Sequence, residues 1–333
     1  MLIKTPKFWF KNKSEISPFY FYLRPLSKIW EITTKYRLNK GMWEKMPIPV
    51  ICIGNLIAGG SGKTPVTMAF QILLNDMGIR SCVVSRGYKG KIKGPHYVNE
   101  TDNFDTVGDE PLLLSKKGVV IVSKNRRDGV LKAHKDGFDV ALLDDGFQNP
   151  QIKKDLSFVV IDSSILFGNE YIIPQGPLRE TIQSGLSRAD GIISVVNNQG
   201  NDDDITRLGK EYKIPIYNGF FDVKKNLENC QNQRVLAFSG IGYPDKFFNT
   251  LKRLGYKIVK TKIFPDHYPY TLRDIINLEK CSRNLSSKLI TTEKDLIRIP
   301  YKFHKLIDII KIEYKFTDDK SIRRQINKLK IKG

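Results

Sequence analysis

The stretch VICIGNLIAGGSGKTPVTMAF, residues 50 to 70, places Gly59, Gly60, Ser61 and Gly62 directly ahead of Lys63 and Thr64. These residue types, in this order, can cradle phosphate. Backbone N–H groups of a glycine-rich turn and of a helix N-terminus point at phosphate oxygens, and the partial positive charge of the helix end favours them. Lys63 would reach the outer phosphates of a nucleoside triphosphate, and the Thr64 hydroxyl would bind Mg²⁺. The pattern departs from the standard phosphate loop in one place. Ile57 stands where a glycine is expected five residues before Gly62, so flexibility sits nearer the lysine, at Gly59 and Gly60. Pro65 falls in the first helical turn, where a missing N–H costs little.

A phosphate loop also needs an acid at the end of a neighbouring apolar strand. FDVALLDDGFQN supplies two, Asp144 and Asp145, and one of them can hold the metal directly or through water. Asp-Gly is also a common turn. The upstream Gly-Lys-Thr favours the catalytic reading.

Such groups need a rigid scaffold, and the text alternates between strand-like and helix-like runs from Pro47 onward. PVICIG reads as a strand, Lys63 to Met77 as a helix closed by Gly78, and IRSCVVS as a strand. GVVIVS, FDVALLD, LSFVVID and GIISVV are short apolar runs suited to strands buried on both faces. The expected fold is therefore α/β, a P-loop NTPase-like, mostly parallel sheet flanked by helices. Asn201 to Asp204 reads as a turn opening a helix. The polar stretch KNLENCQNQR precedes a new strand, VLAFSG, and a boundary is expected there. The expected division is an N-terminal segment over 1–46, a P-loop domain over 47–228 and a smaller α/β domain over 229–333. Ser239-Gly240-Ile241-Gly242 reads as a core or cleft-lining turn, not a second nucleotide site. The last 33 residues carry 10 Lys and Arg and are expected to form a basic solvated surface.

The chain has 333 residues, long enough for two domains of unequal size, and its 41% hydrophobic content is ample for buried cores. Cys52, Cys82, Cys230 and Cys281 form no C-x-x-C pair, which suits a reducing compartment and argues against a metal cluster. No apolar run reaches the roughly 18 residues of a membrane span, and no cleavable signal peptide is recognisable. The formal charge of +20 predicts an anionic partner: nucleic acid, an acidic membrane face or a phosphorylated substrate. Residues 1 to 48 hold 10 Lys and Arg against 3 Asp and Glu, and all three tryptophans: Trp9, Trp30 and Trp43. Aromatic rings mixed with lysine and arginine suit a lipid headgroup interface. A helix is expected from near Pro25 to before Gly41, with Leu26, Ile29, Trp30, Thr33 and Tyr36 on one face. The plainer alternative is a helix packed on the globular body.

Taken together, GNLIAGGSGKTP, SRGYKG, GDEP, VSKNRRDGV, LDDGFQ, GPLRE, FPDHYPY and TTEKD resemble, in order, the tetraacyldisaccharide 4′-kinases of lipid A synthesis. The resemblance runs from about residue 17 to about residue 300, and that family's loop also lacks the early glycine. It implies ATP- and Mg²⁺-dependent phosphorylation of the 4′-hydroxyl of an acylated glucosamine disaccharide 1-phosphate, giving lipid IV-A. It implies two α/β domains with the active site in the cleft between them. An N-terminal segment would meet an anionic lipid surface on the cytoplasmic face of the inner membrane. A monomer is expected.

Carried over by motif, Asp109 of GDEP would be the general base and Glu110 a Mg²⁺ or water contact. Asp145 and His267 of FPDHYPY would form a supporting carboxylate–histidine pair, with Asp144 near the metal and Lys63 on the phosphates. Arg86 and Arg126 would contact phosphate, and Arg179 and Glu180 of GPLRE would position substrate or ATP. In VSKNRRDGV only Arg126 falls at the expected position, so Arg127 has no assigned role.

Two other readings compete. A P-loop GTPase or ATPase switch, or a metallochaperone-like protein, would use the same loop, but no guanine-reading N-K-x-D segment or Cys/His cluster accompanies it. A nucleic-acid-binding module would explain the charge, but no RNA-recognition or zinc-finger pattern is present, so no nucleic-acid partner is expected.

Overall fold

The computed structural model describes residues 5–11, 18–60, 62–196, 202–224 and 231–331. Ser61, Asn201 and the expected boundary at 228/229 lie outside the described residues. The chain divides into two compact units. The larger comprises Pro6–Asp102, Thr106–Asp222 and Glu313–Gly333, and the smaller is built chiefly from Val223–Ile312.

The larger unit opens with short 3₁₀ turns at Lys7–Phe10 and Pro18–Leu23, then α1 (Arg24–Asn39), β1 (Val50–Gly54) and α2 (Lys63–Asp76). Next come β2 (Ser81–Ser85), β3 (His96–Tyr97), the single turn α3 (Phe104–Val107), α4 (Asp109–Leu114), β4 (Val120–Val122) and α5 (Arg126–Lys135). β5 (Val140–Asp144), β6 (Leu156–Asp162), α6 (Ile182–Leu186), β7 (Gly191–Val195), α7 (Asp202–Tyr212) and β8 (Ile216–Lys224) follow. Sheet order in this unit is β8-β7-β6-β1-β5-β2-β4-β3. The pairings of β1, β2 and β4 to β7 with one another are parallel, and β3 lies antiparallel on β4 at the edge. Every residue of β1 and β5 is buried, as expected of strands covered by helices on both faces.

The smaller unit contains β9 (Arg234–Ser239), α8 (Pro244–Arg253), β10 (Lys257–Ile263), α9 (Leu272–Asn284), β11 (Lys288–Thr292), the turn α10 (Glu293–Leu296) and most of β12 (Ile307–Phe316). Its strand order is β10-β9-β11-β12 with parallel pairing. Leu236 and Phe238 pack with Ile275 and Leu278 in one cluster, while Val235 and Ala237 pack with Phe248 and Leu251 in another. Alternation along β9 sends its side chains to opposite faces.

The last 33 residues depart from the expected solvated surface. β12 and α11 (Lys320–Asn327) bury Ile307, Ile310, Tyr314, Ile322 and Ile326. The lysines lie on the outward positions of a strand and an amphipathic helix, so charge density masked the pattern. Tyr314 donates from its hydroxyl to the Ser194 carbonyl at 3.0 Å, which ties the end of β12 beside β7.

α1 packs with its polar side inward. Ser27, Thr34 and Leu38 are buried, while Leu26, Ile29, Ile32 and Tyr36 are exposed and Trp30 is 44% exposed. A soluble helix ordinarily does the reverse. Among the described residues no helix is long and apolar enough to cross a membrane.

Ile57 has a structural reason. It is 3% exposed, and its backbone bridges antiparallel to Leu178, itself 2% exposed. Arg179 N–H donates to the Leu56 carbonyl at 2.8 Å, and Ala58 N–H to the Pro177 carbonyl at 2.7 Å. The segment leading into the phosphate loop is thus a paired, packed strand fragment that a flexible glycine would loosen. Ile57→Gly is expected to destabilise the chain by about 2–5 kcal/mol without tightening nucleotide binding. Urea denaturation alongside ATP titration reads both quantities.

Candidate active site

The phosphate loop joins β1 to α2. Gly62 is the residue before α2 and has φ +80°, a left-handed conformation that glycine adopts without strain. A Cβ there would fall 2.4 Å from Cζ of Phe221, so a side chain would have to displace that ring as well. No side chain caps α2, whose first turn therefore presents backbone N–H groups at the loop. Pro65 is its third residue, where no intrahelical N–H bond is lost. Thr64 is buried in the same turn.

β5 runs parallel to β1 with Asp144 opposite Ile53, so both motifs finish at the same end of the sheet. The Lys63 Nζ lies 3.6 Å from Asp145 Oδ1. Arg179 Nη1 donates to that same oxygen at 2.8 Å. Burial alone would raise the Asp145 pKa, but the Arg179 and Lys63 cations outweigh it and hold the carboxyl below the usual range. Asp145 has φ +50°, in the left-handed region that aspartate adopts more readily than most residues with a Cβ. Arg126 is buried, and its Nη2 donates to the Asp145 carbonyl at 2.9 Å and the Asp144 carbonyl at 3.4 Å, bracing that turn.

Asp144 behaves oppositely. Burial, with the charges of Glu110 and Asp145, pushes its pKa up to about 7, against the opposing pull of Lys63 and a hydrogen bond from Thr67 Oγ1 at 3.2 Å. A buried acid repelled by two other carboxylates suits a divalent cation. Among the described residues no three His, Cys, Asp or Glu side chains gather as a metal cage. Thr64, Asp144 and Glu110 fit Mg²⁺ instead as it is bound with phosphate and water, through one or two carboxylates and a hydroxyl.

Asp109 opens α4 and is buried, with Oδ1 accepting the Glu110 N–H at 2.9 Å. Gly108 before it has φ +93°, and a Cβ there would meet the Tyr88 carbonyl at 2.7 Å. GDEP is thereby pressed onto SRGYKG. Glu110 acts electrostatically on both Asp144 and Arg179, which puts the start of α4 within reach of the phosphate loop. Arg86 is exposed just after β2, and its charge is felt by Arg126.

Glu180 is buried and paired: Arg188 Nη2 bonds to Oε2, Ser184 Oγ donates to Oε2 at 3.0 Å, and Gln148 Nε2 donates to Oε1 at 3.2 Å. Gln148 also donates to the Asn55 carbonyl at 2.9 Å and accepts from Arg179 at 3.4 Å. It joins LDDGFQ, GPLRE and the end of β1, a role that the motif quoted from the sequence contained but did not disclose. Thr67 was also missed. Its place four residues after Lys63 on α2 puts it on the same face, and its hydroxyl reaches the Lys63 carbonyl at 3.1 Å. Arg127 pairs with Glu44 at 2.6 Å, away from this set.

His267 belongs to the smaller unit, with φ +56° and its N–H donating to the Gly240 carbonyl at 3.1 Å. The SGIG turn binds a carboxylate of its own. Fully buried Asp295 of TTEKD accepts from Ser239 Oγ, Gly240 N–H, Tyr270 Oη, Thr292 Oγ1 and Arg298 Nη2, at 2.6 to 2.9 Å.

A lysine-bearing loop between a parallel strand and a helix, with paired acids on the adjacent strand, defines a P-loop phosphotransferase site. The family model described as Tetraacyldisaccharide-1-P 4'-kinase matches residues 19–330. A tetraacyldisaccharide 4'-kinase of Rhodospirillum rubrum is 36% identical over 330 residues, covering 98% of each chain, and one of Methylobacterium radiotolerans is 34% identical, covering 97% of this chain and 98% of the relative. The solved Aquifex aeolicus LpxK in complex with ATP superposes with a TM-score of 0.71 at 28% identity, covering 93% of this chain and 99% of that one. The chain is a P-loop kinase. It belongs to the tetraacyldisaccharide 4′-kinase family, and the switch and metallochaperone readings are set aside.

The raised Asp144 pKa has a consequence for stability. Between the ordinary value of about 4 and the folded value of about 7, the folded chain keeps a proton that the unfolded chain has released. Stability from this group therefore falls as pH rises through that window. In nucleotide- and Mg²⁺-free protein, Asp144→Asn is expected to be more stable than wild type at pH 8 by about 1–3 kcal/mol. The gap should narrow as pH falls and close toward about pH 4, as calorimetry across that range would read.

Proposed function

We propose that this chain transfers the γ-phosphoryl group of ATP to the 4′-hydroxyl of an acylated glucosamine disaccharide 1-phosphate, in the synthesis of lipid A. The observation that carries the reading is Asp145 Oδ1, which gathers Lys63 and Arg179 beside an uncapped α2 N-terminus. The loop N–H groups of Gly59 to Gly62 and Lys63 hold and orient the triphosphate, and Arg86 adds a phosphate contact. Thr64 and Asp144 would hold Mg²⁺, with Glu110 contacting it or its waters, and the ion would supply positive charge against the triphosphate. Asp109 orients the acceptor hydroxyl and takes its proton. Lys63 meets the negative charge as the bond to the leaving phosphate breaks. Arg126 fixes the Asp144–Asp145 turn. Arg179 and Glu180 position the groups around substrate, and Asp145 and His267 complete the catalytic set.

The acceptor is a lipid, and α1 supplies a surface for one. Exposed Leu26, Ile29, Ile32 and Tyr36 lie among Arg24, Lys28, Lys35 and Lys40, all exposed. An apolar face rimmed by cations would seat at the headgroup level of an anionic leaflet, here the cytoplasmic face of the inner membrane.

With [γ-³²P]ATP and tetraacyldisaccharide 1-phosphate in micelles, wild type is expected to label the lipid. Lys63→Ala and Asp109→Ala should each lower kcat at least about 100-fold. ATP hydrolysis with no labelled lipid would overturn the assignment. Leu26→Ser with Ile29→Ser should weaken co-sedimentation with anionic vesicles at least about tenfold, since each apolar side chain contributes about 1.5–3 kcal/mol when buried. Unchanged binding would remove α1 from the membrane contact.

A further inference from the structure

Residues 169–179 form a strap with contacts on both sides. On one side it meets the N-terminal elements. Trp9 Nε1 donates to the Pro174 carbonyl at 3.0 Å, Ser27 Oγ to the Ile172 carbonyl at 2.8 Å, and Trp30 Nε1 to the Arg179 carbonyl at 3.0 Å. On the other side it pairs with residues 56–58 of the segment leading into the phosphate loop. The strap ends at Arg179, whose side chain lies on Asp145 Oδ1, 3.6 Å from Lys63.

We propose that Trp30 is a positioning residue which, through Arg179 and Asp145, sets how freely Lys63 reaches nucleotide phosphate, so that seating α1 on a lipid surface and binding ATP are coupled. One carboxylate oxygen is shared by two cations. With Arg179 held against it, Asp145 is neutralised and the Lys63 ammonium is available to phosphate. When Arg179 withdraws, Lys63 becomes the remaining counterion and is drawn to Asp145. Trp30 joins the two ends of this arrangement in one side chain. Its indole N–H is bound inward to the Arg179 main chain, while its ring is 44% exposed beside Leu26 and Ile29. Lipid over that ring excludes water from the hydrogen bond and restrains the ring, which holds Arg179 in place. Coupling between two binding events is reciprocal, so ATP should strengthen vesicle binding by the same factor.

This inference rests on the ATP and lipid-surface readings above, and the test separates their failures. ATP is titrated into the full chain with Mg²⁺, without vesicles and with saturating phosphatidylglycerol/phosphatidylethanolamine vesicles, with co-sedimentation measured on the same samples. Wild type is expected to bind ATP about three- to tenfold more tightly on vesicles, the span of one hydrogen bond's net worth. Trp30→Phe keeps an apolar ring and removes the donor. It should show less than about a twofold vesicle effect and weaker ATP binding in solution. Placed on Arg179→Ala, it should cause no further loss, whereas a merely structural role would add. A wild-type ATP Kd indifferent to bound vesicles, a Trp30→Phe protein coupled like wild type, or additive losses would each overturn the proposal. Wild type that stays off the vesicles overturns the lipid-surface reading along with it. No sugar acceptor is present, so failure of the kinase assignment shows only in the labelling assay.

Discussion

One carboxylate oxygen organises this site. Asp145 Oδ1 is approached by Arg179 and Lys63, and the peptide backbone around it is braced by Arg126. The residue is in the left-handed region, which aspartate visits more readily than most residues with a side chain. The turn after β5 brings this acid to Lys63 and Arg179, while Asp144 accepts from Thr67. Two adjacent aspartates therefore sit in opposite electrostatic environments. Asp145 is held ionised by cations, and Asp144, buried and facing the charges of Glu110 and Asp145, has its pKa raised to about 7, so that it titrates near physiological pH.

The same arrangement explains the unusual segment before the phosphate loop. In a loop of the standard pattern, an early glycine lets the backbone turn freely. Here residues 56–58 are hydrogen-bonded to the strap at 177–179, and Ile57 is buried. The glycines stand instead nearest Lys63, at positions 59, 60 and 62, where the backbone must approach phosphate. The strap brings Arg179 to Asp145 and also carries the contacts of Trp9, Ser27 and Trp30. The N-terminal segment is therefore attached at the nucleotide end of the sheet.

In the smaller unit a second buried carboxylate does comparable work. Asp295 gathers donors from β9, from the SGIG turn, from the FPDHYPY loop and from the start of α10. A glycine-rich turn after a strand invites comparison with a phosphate site, but the Gly240 N–H is occupied by Asp295. The Gly240 carbonyl in turn accepts from the His267 backbone. The TTEKD and SGIG motifs thereby fix the loop that carries the histidine.

Much of this was legible before any coordinates. The parallel strands announced themselves as uniformly apolar runs, because burial on both faces removes the need for alternation. The phosphate loop, the paired acids and α1 with its exposed apolar face were readable because each depends on neighbours within a turn or two of the chain. β8 and β12 were not: Asn218 and Gly219 interrupt the first and lysines and acids the second, although inward positions such as Tyr217, Ile310 and Tyr314 are buried. Side-chain partnership was also hidden. Nothing local to GPLRE says that Arg179 is taken up by Asp145 while Glu180, one residue later, is turned inward to Arg188. Nothing in the sequence of α1 says that Trp30 would bond to the main chain of residue 179. Residue types and local spacing determined which groups could handle phosphate. Their charge states and alliances were decided by tertiary structure, because electrostatic interaction depends on distance and desolvation, and both are set by segments far apart in the chain.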